Sequence, residues 1–233
     1  MELLSLTGLR QDGRRPNELR RVQLQLGVLP LADGSCTLEQ GLTKIVASVR
    51  GPRETPASGR GCVQCQVSFA PFAASERKKP RSGGGRERRA NELALALEDA
   101  LAPLVQTNLF PHSRVELQVH VVQTDGSVVA TAFNACVLAL IDAGVPMYDF
   151  AVACAVGHAQ QAAAQLLDPN QSEAANASEV WVCVLPRSQH VLSLGVRGKV
   201  AADALPGLVA LAQQGCSQLF GVLESLVVRG IVN

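Results

Sequence analysis

Apolar and polar residues alternate along Val115–Val122 (VELQVHVV): Val115, Leu117, Val119 and Val121 are separated by Glu116, Gln118 and His120. A period of two predicts a half-buried strand. Asp125-Gly126 then predicts a tight turn, because glycine enters positive φ at little cost. Ser127 has the chemistry of a helix N-cap. The residues after it, including Phe133, Val137, Leu138, Leu140 and Ile141, predict a helix to about Ala143 that stops at Gly144, with Pro146 just beyond. That helix is apolar on almost every face, so it belongs inside a domain.

The same patterning predicts a strand meander over residues 22–49. Val22–Pro30 alternates, Asp33-Gly34 turns the chain, Cys36–Glu39 is short, and Thr43–Val49 is β-branched and ends at Gly51-Pro52. Residues 53–61 read as a loop and Cys62–Phe69 as the next strand. A helix over about Glu87–Val105 follows from the spacing of Leu93, Leu97, Ala100, Leu101 and Leu104, with Pro103 bending or shortening its end. Later come an apolar strand Phe150–Val156, an Ala/Gln-rich connection over 157–179, strands Val180–Leu185 and Val191–Val196, and a long helix from about Asp203 to Val228. Strands and long helices without strict βαβ alternation predict an α+β architecture.

Composition narrows the function classes. The chain has 233 residues, 47% of them hydrophobic, enough for a sizeable core. A net charge of +1 leaves the question of nucleic acid to the distribution of charge. Only 3% of residues are aromatic, which argues against base stacking on an aromatic platform. Seven cysteines, at 36, 62, 65, 136, 154, 183 and 216, sit among apolar neighbours and read as reduced thiols of an intracellular protein. Cys62 and Cys65 form one C-x-x-C, but on a strand positions three apart face opposite ways, so no metal site is expected. The N-terminus lacks a signal-peptide core, and no run approaches the ~18 apolar residues of a membrane helix.

Three features carry candidate chemistry. The first is the strand–turn–helix at Gly126, Ser127, Val128 and Val129. A helix start presents free N–H groups that favour an anion; yet from Gly126 to Val145 there is no Lys or Arg. On these residues alone an ordinary turn before a buried helix is the simpler reading. The second is the tract Glu76–Arg89, with seven Lys/Arg against two Glu. It is either a phosphate-contacting surface or a solvated loop. The third is Asp168, ahead of Pro169, which also reads as a loop or cap residue.

Several stretches together resemble the ribonuclease PH-like family. They are Gly8–Pro16 (GLRQDGRRP) with Glu18-Leu19-Arg20, Ala32–Ser35 with Glu39-Gln40-Gly41 and Lys44, Gly51–Glu54, Phe72 with Ser75-Glu76-Arg77, Arg88-Arg89, Asp125-Gly126, Asn134-Ala135 and Asp142–Met147. Within the family the chain looks most like the exosome ring subunit related to the archaeal catalytic subunit, the exosome component four type. The resemblance implies a ribonuclease PH fold of ribosomal protein S5 domain 2-like halves. Residues 1–233 then form one domain, with a first half at 1–109 and a second at 110–233.

The resemblance also implies where chemistry should lie. Active members use phosphate to attack the 3′-terminal phosphodiester and release a nucleoside diphosphate, which demands cations and oriented donors. The family's Gly-Thr-Arg at the helix start is here Ser127-Val128-Val129. Of its two acids, Asp168 matches the first, and the second falls at Ala174, beside Glu173. The expected function is therefore a non-catalytic ring subunit of the RNA exosome, with Asp168 vestigial, no cofactor and no metal. It lines the channel and guides single-stranded RNA through Arg53, Arg60, Arg77, Lys78, Lys79, Arg88 and Arg89. Implied partners are sister subunits in a hetero-hexameric ring, cap proteins with RNA-binding modules and an associated hydrolytic 3′-to-5′ exoribonuclease. The implied location is nucleus and nucleolus, also cytoplasm. The alternatives are an active phosphate-dependent 3′-to-5′ exoribonuclease and a ring scaffold without RNA contact.

Overall fold

A computed structural model describes residues 8–54, 61–73, 85–159 and 164–232. Alternating residues in the first part build strands β1 (Val22–Leu26), β2 (Gly34–Gln40), β3 (Thr43–Glu54), β4 (Cys62–Phe69) and β5 (Ser113–Gln123). They form one sheet in the order β1-β2-β3-β5-β4. Strand β5 runs antiparallel to β3 and parallel to β4. The helix α1 (Gly85–Leu101) makes the crossover between the two parallel strands. It stops two residues before Pro103, which has no N–H with which to continue it.

Strand β5 begins beyond residue 110 yet hydrogen-bonds on both sides within the first sheet. The halves expected at 1–109 and 110–233 are therefore not where the sheets divide. The second sheet begins only after α2 (Val128–Asp142), with β6 (Val152–Ala159), β7 (Ala164–Leu167), β8 (Ser178–Leu185) and β9 (His190–Arg197) in the order β7-β6-β8-β9. Between β7 and β8 lies a one-turn helix, α3 (Gln171–Ala174), and α4 (Leu205–Val232) closes the chain. The 157–179 connection thus holds the end of β6, all of β7 and α3. Four-residue elements are too short to register as a period.

The apolar surface of α2 has a direct cause: the helix is packed against β2 and β3 of one sheet and β6 of the other. Val128 and every residue from Ala130 to Leu140 are buried. Its one buried amide is fully used. Asn134 donates from Nδ2 to the Ala153 carbonyl (2.9 Å) and accepts from the Ala153 N–H (2.7 Å), tying α2 to β6. On the other side β2 rests on the backbone of α2. A Cβ added at Gly34 would stand 2.3 Å from Ala143 N and 2.5 Å from Ala139 O. All seven cysteines are free thiols, and all but Cys62 are buried. Burial pushes the Cys36, Cys65 and Cys216 thiols up to about 12.

The close approach at Gly34 leaves no room for a methyl group. Gly34→Ala is expected to cost about 1–3 kcal/mol, read as a lower urea midpoint at unchanged slope. An unchanged midpoint would mean that β2 can lift away from α2.

Candidate phosphate and nucleic-acid site

At the end of β5 the chain turns through Asp125-Gly126, with Gly126 at φ +80°, into α2. Ser127 sits at the helix start but does not cap it, contrary to the sequence expectation. Its backbone is left-handed (φ 49°, ψ 31°), whereas a capping side chain needs extended backbone to reach back to the first turn. Its hydroxyl instead donates to the Pro169 carbonyl at 3.1 Å. Gly126 is pressed against the same segment: a Cβ there would lie 2.3 Å from Pro169 O. The turn is thus braced by residues 168–170 of the second sheet's connection. Val128 is buried and Val129 half-buried against the core, and neither side chain offers a donor or charge to an anion.

Asp168 leads that bracing segment and is fully buried, at φ 52°. Its Oδ2 accepts from Arg20 Nε (3.0 Å), the Arg20 backbone N–H (3.1 Å) and Gln40 Nε2 (2.9 Å), and its Oδ1 from Arg20 Nη2 (2.7 Å). Burial alone would raise this carboxyl; the charge of Arg20 and its bonds outweigh that and hold it below the ordinary aspartate range. Burial likewise disfavours the charged Arg20, and Asp168 more than restores it. Arg20 also reaches the Asp125 carbonyl through Nη1, so one guanidinium joins the turn to Asp168.

Glu173, the neighbour of the position where the family's second acid falls, is equally committed. Arg10 grips it with two bonds, Nε to Oε1 (2.8 Å) and Nη2 to Oε2 (2.6 Å). It also completes a capping box with Asn170, donating its backbone N–H to Asn170 Oδ1 (2.9 Å) and accepting the Asn170 N–H (2.9 Å). Its side chain is 1% exposed, so it cannot move toward Ala174 without stranding Arg10 in the interior.

The basic residues expected to meet RNA separate into two places. Arg60, Arg77, Lys78 and Lys79 lie outside the described residues. Arg53 is exposed at the end of β3, opposite Arg114. Arg88 and Arg89 are exposed near the start of α1. Arg88 pairs with Glu92 one turn on (3.0 Å), a solvated ion pair of little energetic weight. The Arg89 guanidinium carbon stands 5.4 Å from the centre of the Phe69 ring, and Phe69 pairs with Val121. From Arg114 to Val121 is seven steps along β5, about 24 Å at 3.4 Å per residue. Arg89 therefore shares an end of the sheet with the Asp125-Gly126 turn, and Arg53 does not.

Two further residues at that end were not singled out from sequence. Glu179 on β8 is 7% exposed, and its Oε1 has no hydrogen-bond partner among the described residues. Arg197 on β9 lies directly across the ladder from it. Burial raises the Glu179 carboxyl above its ordinary range, opposed by the charges of Arg197, Arg20 and Arg89. The signal available in the sequence was an acid inside the apolar run EVWVCVL and a lone Arg ending VLSLGVR.

Replacing Asp168 by Asn removes the nearer counter-charge of buried Arg20 and leaves only the Asp125 carboxylate, 3.6 Å away. The expected cost is about 3–5 kcal/mol, measured by urea unfolding. Because the folded carboxyl lies below its unfolded value, the pair's stabilisation is present above the ordinary aspartate range and lost as pH falls through the lowered value. Asp168→Asn should flatten that acid limb; an equally steep limb in the variant would place the titration elsewhere.

Residues 18–146 match the family described as RNase PH, 3′ exoribonuclease family, domain 1. The chain is 36% identical over 233 residues to the Homo sapiens exosome complex component RRP41, covering 97% of this chain and 94% of the human protein. It is 36% identical over 226 residues to the Arabidopsis thaliana RRP41 homolog, covering 94% and 91%, and 35% identical to Methanopyrus kandleri Rrp41, covering 94% and 91%. Among solved structures, rice Rrp46 superposes with a TM-score of 0.80 at 22% identity, covering 94% of this chain and all of that one. An Archaeoglobus fulgidus exosome with RNA bound to the active site superposes with a TM-score of 0.79 at 19% identity, covering 93% of each. With that match over residues 18–146 and 36% identity along nearly its whole length to the RRP41 proteins, the chain belongs to the RNase PH, 3′ exoribonuclease family.

Proposed function

We propose that this chain is a non-catalytic wall subunit of an exosome-type ring, lending cationic side chains to single-stranded RNA while a separate hydrolytic nuclease cuts it. The observation that carries the reading is the start of α2. Where a phosphorolytic site needs a charged donor, Val128 and Val129 are packed into the core, and Ser127 spends its hydroxyl on Pro169. The two nearby acids support the same reading: Asp168 is committed to Arg20, and Glu173 to Arg10 and Asn170. Losing one positioned donor at a developing oxyanion costs on the order of a hundredfold in rate, and here the charged donor and the free second carboxylate are both missing.

Assembly with sister subunits is part of the reading. The RRP41 relatives are exosome components by name. Strand β9 edges the second sheet and exposes Val191, Leu194 and Val196, apolar groups that an unpartnered edge would ordinarily replace with charge. Cap proteins with RNA-binding modules and a docked 3′-to-5′ exoribonuclease complete the machine. Placing Arg53 and Arg89 at opposite ends of one sheet suits a strand running through a channel, with phosphates gripped in turn and no base read.

The purified chain, alone and reconstituted with sister subunits, is expected to release no nucleoside diphosphate from single-stranded RNA when phosphate is supplied. Phosphate-dependent release of nucleoside diphosphate by the folded chain or its reconstituted ring would establish the active exoribonuclease instead. Neutralising Arg88 and Arg89 together is expected to weaken RNA binding by the ring. The slope of log affinity against log salt should fall by about 0.7 for each phosphate no longer neutralised. An unchanged affinity and slope would leave a scaffold without RNA contact.

A further inference from the structure

We propose that Arg197, together with Arg89, forms a phosphodiester-binding clamp for single-stranded RNA at the end of β9, supplying from a different element the cation that the start of α2 lacks. This rests on the RNA-guiding reading above.

Placement is the first argument. Arg197 and Glu179 are direct cross-strand partners, so their side chains leave the same face of the second sheet. Gly157 is the partner of Glu179 on β6, and a Cβ there would meet Pro169 at 3.3 Å, which sets this face toward the segment that braces the Gly126 turn. Glu179 lies within electrostatic reach of Arg197, Arg20, Arg89 and Asp168, so the outer arginines and the Arg20–Asp168 pair belong to one end of the fold. Helix α1, which carries Arg89, passes close to β9.

Rigidity is the second. The chain just beyond Arg197 is pinned to the start of β8. Gly198 sits at φ +103°, where an added Cβ would come 2.9 Å from Ser178 Oγ, and that hydroxyl donates to the Lys199 carbonyl at 2.7 Å. Arg197 therefore projects from a fixed base, while its side chain is exposed. Arg89 is held from the other side by Phe69.

Charge is the third. Two guanidinium groups stand close enough that Arg197 adds to the burial that makes the Arg89 charge harder to hold. One buried carboxylate with an unpartnered oxygen offsets them only in part. Such a cluster of two cations over one anion gains most from a ligand that carries negative charge and several acceptor oxygens, which a phosphodiester does. No base edge is needed, so the clamp is indifferent to sequence.

The test uses the full chain in its reconstituted ring, with fluorescein-labelled oligoadenylate titrated over a range of salt. Arg197→Ala is expected to weaken binding about fivefold and to lower the slope of log affinity against log salt by about 0.7, with an unchanged melting temperature. Arg197→Lys should keep most of the slope. If Arg88→Ala/Arg89→Ala weakens binding but Arg197→Ala does not, the clamp is overturned and RNA guidance stands. If neither variant weakens it, both readings fall. Should Arg197→Ala impair assembly, Arg197→Gln is measured instead with the same expected loss, and an unchanged slope again overturns the clamp.

Discussion

The buried pair between Arg20 and Asp168 is the interaction on which this end of the molecule depends. Arg20 precedes β1; Asp168 follows β7; Gln40 ends β2; and the Asp125 carbonyl belongs to the turn before α2. Four separate stretches of chain meet on one carboxylate and one guanidinium. Taking both charges out of water is expensive, and only a complete set of donors offsets it. Here the carboxylate accepts four hydrogen bonds. The interaction therefore specifies where the sheets sit relative to each other more than it adds net stability.

Around that pair the fold distributes roles by depth. The interior belongs to α2, whose small residues let β2 come within touching distance and whose Asn134 fastens β6. One layer out, Arg10 and Glu173 repeat the theme of a charged pair used as a fastening. Among the described residues, exposed cationic groups stand on α1, on β9 and at the end of β3. Behind the start of α2, Arg20 and Asp168, and Arg10 and Glu173, are committed to each other in buried pairs, and the proposed non-catalytic role rests on that commitment.

Much of the fold was legible in the sequence because its strands are long and regularly alternating. Val115–Val122 fell within β5, and the apolar run after Ser127 became α2. The residues that resisted reading failed for identifiable reasons. Ser127 had the right chemistry for a cap but the wrong backbone, since the left-handed turn is imposed by the 168–170 segment more than forty residues away. Strand β7 and helix α3 are a single turn's worth of chain each, held by β6 and by the Asn170–Glu173 box rather than by periodicity. At the site, Asp168 was visible as an acid, but its partner Arg20 is remote in sequence. Glu179 and Arg197 were masked by the apolar strands that carry them, and only the β8–β9 register brings them face to face.

The spacing between Arg53 and Arg89 along β5 sets a length threshold. About 24 Å of sheet lies between the two ends. Under the RNA-guiding role proposed above, an unpaired 3′ tail shorter than that gap would touch one cationic end at a time; a longer tail would touch both, and its second attachment would be an intramolecular event at high effective concentration. Bivalency of this kind would reward tails above a minimum reach without recognising a single base, so the proposed RNA-guiding wall would select its cargo by length.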